Sequence, residues 1–308
     1  MFLSMNYDLI LIRYGELSLK SPYVRKQFES TLINNIKNAC KSDNVPCKIT
    51  TERGRIYLHT EEISKGCTVL KKVMGITSFS PVVKTTSDTT DMSSLALVFS
   101  KKMLDKEKSF ALRVTRTGNH DFTSQDAAVK IGNVIVQETQ AGVDLSHPDF
   151  ELFIEIRHDN AFFFTEKIRG TGGLPLGTQG KILAFITTPV SILAAWYLMR
   201  RGCKIVFVTD GSHYTDVLHS FIKNWYANSD ILTIEFTEKK LYETLDAIAS
   251  KKACDAMVTG HTIYDTSQDV ISELTQLKKH ISLPILSPLI AMDSDEIDRK
   301  CKEIGLTS

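Results

Sequence analysis

The fold is decided by one stretch in the last third of the chain, KILAFITTPVSILAAWYLMRRGCKIVFV (residues 181–208). An apolar strand-like run is followed by a polar turn, an apolar helical stretch and a second strand-like run after Arg201-Gly202. This order is typical of a parallel sheet covered by helices. Ligands of such sheets bind beyond the carboxyl ends of the strands, which directs attention to the turns after Phe185, Val208 and Val258.

The same alternation continues to the end of the chain. Further strands are predicted at 231–236, 256–258 and 285–286, and further helices at 214–226, 239–250, 267–280 and 293–304. Residues 181–308 are therefore predicted to form a doubly wound parallel-sheet domain in an α/β protein.

Residues 1–84 have the pattern of a small sheet covered by two helices. Asp8 to Arg13 is predicted to be a buried strand, and Ser21-Pro22 opens a helix that continues to about Lys41. Strands are predicted at 47–51, 55–59 and 77–83, and a second helix at 63–73. The order strand, helix, strand, strand, helix, strand is typical of the ferredoxin-like fold.

Residues 85–180 have a mixed pattern that predicts an α+β domain. Helices are predicted at 92–103 and 125–140, and strands at 110–115, 150–157 and 161–165. The segment from Arg169 to Gly180 contains five glycines and one proline. These residues disfavour a continuous helix or strand, so a linker is predicted there.

Charge is distributed unevenly along a chain of 308 residues whose formal net charge is only +1. Residues 1–84 contain 13 basic and 7 acidic side chains, a net charge of +6, whereas 85–180 and 181–308 carry −3 and −2. A basic end on a near-neutral chain indicates an anionic partner, with nucleic acid the obvious candidate. A solvated lysine-rich surface would account for the same charges, so both interpretations stay open.

The composition argues against several classes of protein. With 43% hydrophobic and 24% charged residues, the chain is typical of a globular protein rather than a disordered one. The apolar region Ile182–Met199 is interrupted by polar residues and Pro189, so no membrane span is predicted. The first six residues lack the features of a signal peptide, so we expect a cytoplasmic protein. Six scattered cysteines without a C-x-x-C pair predict neither a metal site nor a disulfide framework.

Several short motifs, in order along nearly the whole chain, resemble one family. They are IRYGELSLK (12–20), RGRIY (53–57), MGI (74–76), RVTR (113–116), GGLPLG (172–177), Thr259-Gly260 and PILSPLIAMD (284–293). Together they resemble the tRNA 4-thiouridine synthetase family, the ThiI-type tRNA sulfurtransferases. The resemblance implies a ferredoxin-like domain at 1–84, an RNA-binding THUMP domain at 85–180, and a pyrophosphatase-loop domain of the adenine nucleotide alpha hydrolase-like fold at 181–308.

The resemblance implies that the first two domains bind the acceptor stem of tRNA. It implies that the last domain uses ATP and Mg²⁺ to adenylate a uridine before sulfur replaces its oxygen, in a homodimer supplied by a sulfur donor such as a cysteine desulfurase. Basic side chains near turns and element ends are the candidates for phosphate contacts. They are Lys20, Arg25, Lys26, Arg53, Arg55, Arg113, Arg116, Lys167 and Arg169. Tyr14 and Phe122 are either base-stacking or packing residues.

The loop at the candidate active site departs from the family's pattern, Ser-Gly-Gly-x-Asp-Ser. The corresponding residues are Ile186, Thr187, Thr188, Pro189, Val190 and Ser191, of which only the last matches. Threonines in place of glycines make a positive φ costly, and Pro189 lacks an N–H that a phosphate would need. Val190 in place of the acid has no oxygen for a magnesium ion. Catalytic residues are therefore left unassigned, and inefficient adenylation by this loop is predicted.

Two later segments also differ from the family. Residues 261–269 (HTIYDTSQD) stand where the family usually has ESLGQVASQ, and the chain ends where the family continues to the cysteine that receives sulfur. Cys301 precedes that point and is predicted to be a packing residue. Some positions still resemble the family's adenine and ribose contacts. These candidate ATP-binding residues are Ala184, Phe185, Lys239, Gly260, Gln268 and Asp269.

Three functions stay open from the sequence. The first is an ATP-dependent tRNA sulfurtransferase with a divergent loop. The second is a tRNA-binding protein of the same ancestry that has lost adenylation and uses neither ATP nor Mg²⁺. The third is a small-molecule enzyme in the cleft of the parallel sheet, for which the sequence supplies no catalytic set.

Overall fold

The computed structural model describes residues 5–15, 21–211, 214–235, 240–263 and 269–306. The chain forms two compact units. Unit 1 comprises Met1–Arg13, Val45–Thr68 and Ser78–Arg169, and unit 2 comprises Tyr14–Asn44, Val69–Thr77 and Gly170–Ser308. Helix α1 (Pro22–Ser42) therefore belongs to unit 2, although the sequence places it in the predicted first domain. The predicted domain boundaries at 84 and 180 stay predictions.

Unit 1 is built on one mixed sheet. Its strands are β1 (Leu9–Tyr14), β2 (Lys48–Glu52), β3 (Arg55–His59), β4 (Ile76–Thr86), β5 (Ser109–Thr117), β6 (Gly142–Val143), β7 (Phe150–Arg157), β8 (Asn160–Phe164) and β9 (Ile168–Arg169). Their order is β2-β3-β1-β4-β8-β7-β5-β6, and β9 also pairs with β4. The early part of β4 pairs with β9 and the later part with β8, so β4 joins the ferredoxin-like strands to the following α+β region.

Two of the helices of unit 1 cover the α+β part of this sheet. They are α3 (Thr89–Ser100) and α4 (Ser124–Thr139), and α2 (Ile63–Leu70) lies earlier in the chain. The side chain of Thr123 caps α4 in a capping box with Asp126, which fixes where the helix begins. Fully buried Phe99 and Ile131 then pack with Phe163 in one apolar core.

The sheet of unit 1 is strongly curled. Three strands lie between β3 and β7, so a flat sheet would hold them roughly 19 Å apart, at about 4.8 Å per strand. Instead, Arg55 Nε of β3 lies 2.6 Å from Glu155 Oε1 of β7. The rings of Tyr57 and Phe162 likewise stack with centroids 5.2 Å apart. The curl creates a concave side that side chains of both sheet ends share.

Unit 2 contains a five-stranded parallel sheet in the order β12-β11-β10-β13-β14. The strands are β10 (Gln179–Ile186), β11 (Cys203–Thr209), β12 (Asp230–Thr233), β13 (Ala256–Val258) and β14 (Ile285–Leu286). The helices besides α1 are α5 (Pro189–Arg200), α6 (Thr215–Asn224), α7 (Leu241–Lys251), α8 (Val270–His280) and α9 (Ser294–Glu303). The chain moves outward from β10 in both directions, so the carboxyl end of β10 is the switch point of the sheet.

The parallel sheet is buried on both faces. Ile205 and Phe207 of β11 belong to one apolar core, and the intervening Val206 and Val208 belong to the other. This alternation of a continuously apolar strand is typical of a doubly wound sheet. The predicted α/β fold, with a ferredoxin-like order of elements, an α+β region and a parallel sheet, is confirmed.

The predicted linker is partly ordered into strands. Arg169 ends β9 and Gln179 begins β10, while Gly172, Gly173 and Gly177 between them have φ values of 70°, 73° and 93°. The glycines thus supply left-handed turns between two strands. The sequence missed β9 and β6 because two-residue strands are too short to show a period. No helix in the described ranges is long and apolar enough to cross a membrane.

Candidate functional site

A buried carboxylate on the concave side of unit 1 gathers three arginines. Glu155 is 4% exposed, and its Oε1 lies 2.6 Å from Arg55 Nε and 3.4 Å from Arg157 Nη1. Its Oε2 lies 3.3 Å from Arg13 Nη2, and Arg13 Nη1 donates to the Ser80 hydroxyl at 3.0 Å. Burying a charged side chain is unfavourable unless opposite charges and hydrogen bonds offset the loss of water. Removing any one of these four side chains should therefore destabilise the others.

A second carboxylate extends this network toward the β2–β3 turn. Glu52 accepts from the Tyr57 hydroxyl at 2.7 Å and from Arg157 Nε at 3.3 Å, and its other oxygen lies 3.2 Å from His158 Nε2. Burial raises the pKa of Glu52, but the hydrogen bond from Tyr57 and the charge of Arg157 outweigh it and leave the pKa below its ordinary value. Glu52 is therefore ionised at neutral pH.

The β2–β3 turn is tied to the same network. Arg157 Nη2 donates to the carbonyl of Arg53 at 2.6 Å, and Arg55 Nη1 donates to the carbonyl of Gly54 at 2.6 Å. Gly54 has a φ of 82°, which favours glycine. The Arg53 side chain is exposed. The Arg53 side chain of the turn thus faces solvent, while Arg55 and Arg157 hydrogen-bond the backbone carbonyls of the turn.

Two other predicted RNA-binding residues of unit 1 lie in polar contacts. Arg116 Nη1 donates to the carbonyl of Gly118 at 3.1 Å and lies 3.2 Å from His120 Nδ1. Arg113 Nε donates to Glu151 at 2.8 Å. Both guanidinium groups are therefore oriented by neighbours.

The remaining pair in unit 1 is exposed. Lys167 Nζ lies 4.5 Å from the centre of the Phe153 ring, and burial together with the charge of Arg13 lowers the pKa of Lys167. Arg169 lies on β9. The structure therefore brings Arg53, Arg55 and Lys167 close to the Glu155 network.

Predicted residues of unit 2 lie at the start of α1. Arg25 is half-buried and Lys26 is exposed, and Lys20 lies outside the described residues. Tyr14 is 8% exposed and its hydroxyl donates to Glu29, which fits packing rather than base stacking. In unit 1, Phe122 lies with its ring 5.2 Å from that of His120.

The divergent loop of unit 2 is capped by its own side chain. Thr188 is the N-cap of α5, and its hydroxyl accepts from Ser191 N at 3.3 Å, while Pro189 occupies the first turn. The hydroxyl therefore takes an N–H that the N-terminus of a helix could otherwise offer to a phosphate.

Packing from β13 closes the same loop. A Cβ on Gly260 would lie 3.0 Å from Ser191 N and 3.1 Å from the carbonyl carbon of Val190, so the backbones approach closely. Next to it, the Thr259 and Ser287 hydroxyls lie 2.9 Å apart, and His261 Nε2 lies 3.3 Å from Glu273. The carboxyl end of β13 is thus packed directly against the start of α5.

The candidate ATP-binding residues lie around the ends of β10, β13 and α8. Ala184 is buried and Phe185 is half-buried on β10. Asp269 caps α8, where its Oδ1 accepts from Ser272 N at 3.0 Å. Lys239 and Gln268 lie outside the described residues.

Three of the six cysteines are shielded by burial. Burial raises the pKa of Cys203, Cys254 and Cys301, which keeps these thiols protonated at neutral pH. No group of three or more potential metal ligands occurs among the described residues.

Sequence models of three domain families match the chain. They are the ThiI ferredoxin-like domain over residues 9–80, the THUMP domain over 87–166, and the thiamine biosynthesis protein ThiI over 212–308. The fold and the matched regions thus define a THUMP protein of the ThiI type. The divergent loop lies between the second and third matched regions.

Curated relatives cover almost the whole chain. The probable tRNA sulfurtransferase of Methanobrevibacter smithii is 32% identical over 98% of this chain and 87% of its own length. Those of Methanothermobacter thermautotrophicus and Methanocaldococcus jannaschii are each 33% identical over 98% and 96% of this chain, and over 85% and 87% of their own lengths. The chain belongs to the tRNA sulfurtransferase family.

Solved structures have the same fold. PH1313 from Pyrococcus horikoshii is 28% identical over 97% of this chain and 100% of its own, with a TM-score of 0.83. A 4-thiouridine synthetase, solved as an RNA complex with bound ATP, is 24% identical over 97% of this chain and 85% of its own, with a TM-score of 0.81.

Proposed function

We propose that this protein binds tRNA and acts in the sulfur transfer that makes 4-thiouridine. Its family relatives are named for tRNA sulfurtransfer, and a protein of the same fold is a 4-thiouridine synthetase solved with RNA and ATP. The observation that carries the RNA-binding part is the exposed Arg53 on a turn fixed by two further arginines. Cationic groups held in place are suited to the RNA backbone.

The proposed RNA contacts are the basic residues predicted from the sequence. In unit 1 these are Arg53, Arg55, Arg113, Arg116, Lys167 and Arg169, and in unit 2 they are Lys20, Arg25 and Lys26. Arg53, Lys26, Lys167 and Arg169 are exposed, whereas Arg55 has its Nε on Glu155. We therefore expect the exposed members to contribute most, with the acceptor stem as the RNA element.

The proposed nucleotide contacts lie at the switch point of the parallel sheet. Ala184, Phe185 and Gly260 are the proposed contacts for an adenine and a ribose at the ends of β10 and β13, together with Asp269 at the start of α8. Lys239 and Gln268 are proposed from the sequence alone, because they lie outside the described residues. The phosphate end fits less well, because Thr188 caps α5, Pro189 lacks a backbone N–H and Val190 lacks a carboxylate. The residues of this loop therefore do not fit the phosphates and Mg²⁺ of an efficient adenylating site.

The sulfur is proposed to come from a separate donor, such as a cysteine desulfurase. Burial raises the pKa of Cys203, Cys254 and Cys301, which disfavours these three thiols as sulfur carriers. We propose a homodimer in the cytoplasm, where the tRNA is found. Analytical ultracentrifugation tests the dimer.

Titration calorimetry with ATP and Mg²⁺, with and without tRNA, tests the catalytic part. Binding of ATP is the expected result, with only slow release of pyrophosphate in the presence of tRNA, because the residues of the loop fit the phosphates poorly. Salt-dependent tRNA binding without nucleotide binding or pyrophosphate release would overturn the ATP-dependent step and leave tRNA binding as the function. Binding of tRNA that is indifferent to salt would overturn the phosphate-contacting surface.

A further inference from the structure

The backbone of the β2–β3 turn is held by two of the three arginines that bind Glu155. Arg157 bonds the Arg53 carbonyl and Arg55 bonds the Gly54 carbonyl, each at 2.6 Å. Both guanidinium groups also contact Glu155 Oε1. Glu155 is therefore linked to the turn through two parallel connections.

The surroundings fix Glu155 itself. It is 4% exposed and also accepts from Arg13, whose guanidinium carbon lies 4.7 Å from the centre of the Phe164 ring. Arg13 is in turn bonded to Ser80, whose hydroxyl donates to the carbonyl of Glu166 at 2.7 Å. Such a network has little freedom to shift, so the position of the carboxylate sets the position of the turn.

We propose that the turn Arg53-Gly54-Arg55 is a preorganised binding site for an RNA phosphate, and that Glu155 is its positioning residue. Arg53 supplies the solvent-facing cation, and Glu155 acts through Arg55 and Arg157 without touching the RNA. Preorganisation raises affinity because the turn loses little freedom on binding. The inference rests on the proposed tRNA-binding function.

The positioning role predicts that one substitution changes tRNA affinity in the direction opposite to that expected from its charge. Glu155→Gln removes a negative charge, so long-range electrostatics by itself would strengthen tRNA binding. Loss of positioning would instead weaken it. The two explanations therefore predict opposite changes in affinity for the same variant.

Fluorescence anisotropy with a transcribed tRNA, measured over a series of salt concentrations, tests the proposal. Arg53→Ala is expected to weaken binding and to lower the slope of log affinity against log salt by about 1. Glu155→Gln is expected to lower the affinity and the salt slope as well. The double variant Arg53→Ala/Glu155→Gln is expected to bind no more weakly than Arg53→Ala, because Glu155 acts only through the turn. Partial unfolding lowers the active fraction but leaves that slope unchanged, so the slope separates positioning from folding.

Gly54→Ala, which changes no charge, tests the proposal even if Glu155→Gln does not fold. A Cβ on Gly54 would meet nothing within 4 Å, so Gly54→Ala acts only by straining the backbone at φ 82°. We expect about threefold to tenfold weaker tRNA binding, the scale of one displaced phosphate contact. Gly142→Ala is the matched control, because its Cβ also meets nothing within 4 Å and its φ is not positive.

Unchanged or tighter binding by both Glu155→Gln and Gly54→Ala would overturn the proposal. A wild-type protein that binds tRNA without salt dependence would overturn the proposed phosphate-contacting function instead. The two failures are therefore distinguishable in one series of measurements.

Discussion

The β2–β3 turn of unit 1 and the β10–α5 loop of unit 2 are both turns where the sequence predicts an anion, yet they are built differently. In the turn, Arg53 reaches solvent while Arg55 and Arg157 bind the backbone behind it. In the loop, binding would depend on backbone N–H groups, and Thr188 already accepts from one of them. The turn depends on long cationic side chains whose backbone is held by Arg55 and Arg157, whereas the loop would depend on backbone N–H groups that glycine leaves accessible.

Removing the carboxylate of unit 1 should have the largest effect. Glu155→Ala leaves Arg13, Arg55 and Arg157 without their shared partner, and we expect a loss of about 3–5 kcal/mol in the free energy of unfolding. Circular dichroism during urea unfolding measures it, and the fluorescence of the two tryptophans, both in unit 2, reports the other unit.

Glu273→Ala is the control in unit 2, since it removes a half-exposed partner of His261. We expect at most about 1 kcal/mol from it. Equal losses for the two variants would contradict the special role of the buried network.

The close packing of Gly260 against the start of α5 predicts a smaller loss of stability in unit 2. Gly260→Ala would place a Cβ 3.0 Å from Ser191 N, and we expect a loss of about 1–3 kcal/mol from overpacking. The fluorescence of Trp196 and Trp225, both in unit 2, follows the thermal transition. An unchanged melting temperature would show that Gly260 is not tightly packed against the start of α5.

The cap of α5 should contribute less again. Thr188→Ala removes the hydroxyl that accepts from Ser191 N and is expected to cost about 1 kcal/mol. Thr188→Ser keeps the hydroxyl and should melt like the wild type. In unit 1, Thr123→Ala removes a comparable cap from α4 and should have a similar effect, so a difference between the two would mark α5 as unusual.

The acid sensitivity of unit 1 is the smallest expected effect. The pKa of Glu52 is below its ordinary value in the folded protein, so its stabilising contribution is present above that ordinary value and is lost as pH falls through the folded pKa. Circular dichroism melts from pH 6 down to about pH 3 should show this loss. Glu52→Gln should make the melting temperature depend less on pH over this range. The same pH dependence in the variant would show that ionised Glu52 does not stabilise unit 1.

Most elements were predictable because their signals are local. The apolar run of β10 and the helical spacing of α5 lie within a few residues of each other, and both elements occur where predicted. The connection between them is Thr187 and Thr188, and the assignment of residues 186–191 as the active-site loop stays a prediction. The cap of α5, Thr188, required the geometry of the helix start.

The Glu155 network was not predicted. Arg13 and Arg157 lie at the ends of mainly apolar strands and were absent from the predicted RNA-binding set. The available signal was an alternation in β7, FELFIEIR, that places Glu151, Phe153 and Glu155 on one face. It indicates a charged group on a buried face but not its partners.

The sequence by itself determined the order of the elements and the family. Only the tertiary structure decided that α1 falls in the same compact unit as the parallel sheet and that three arginines meet one carboxylate. The physical reason is range. Periodicity is set by near neighbours, whereas Arg13 and Arg55 lie 142 and 100 positions from Glu155 and meet it only because the sheet curls.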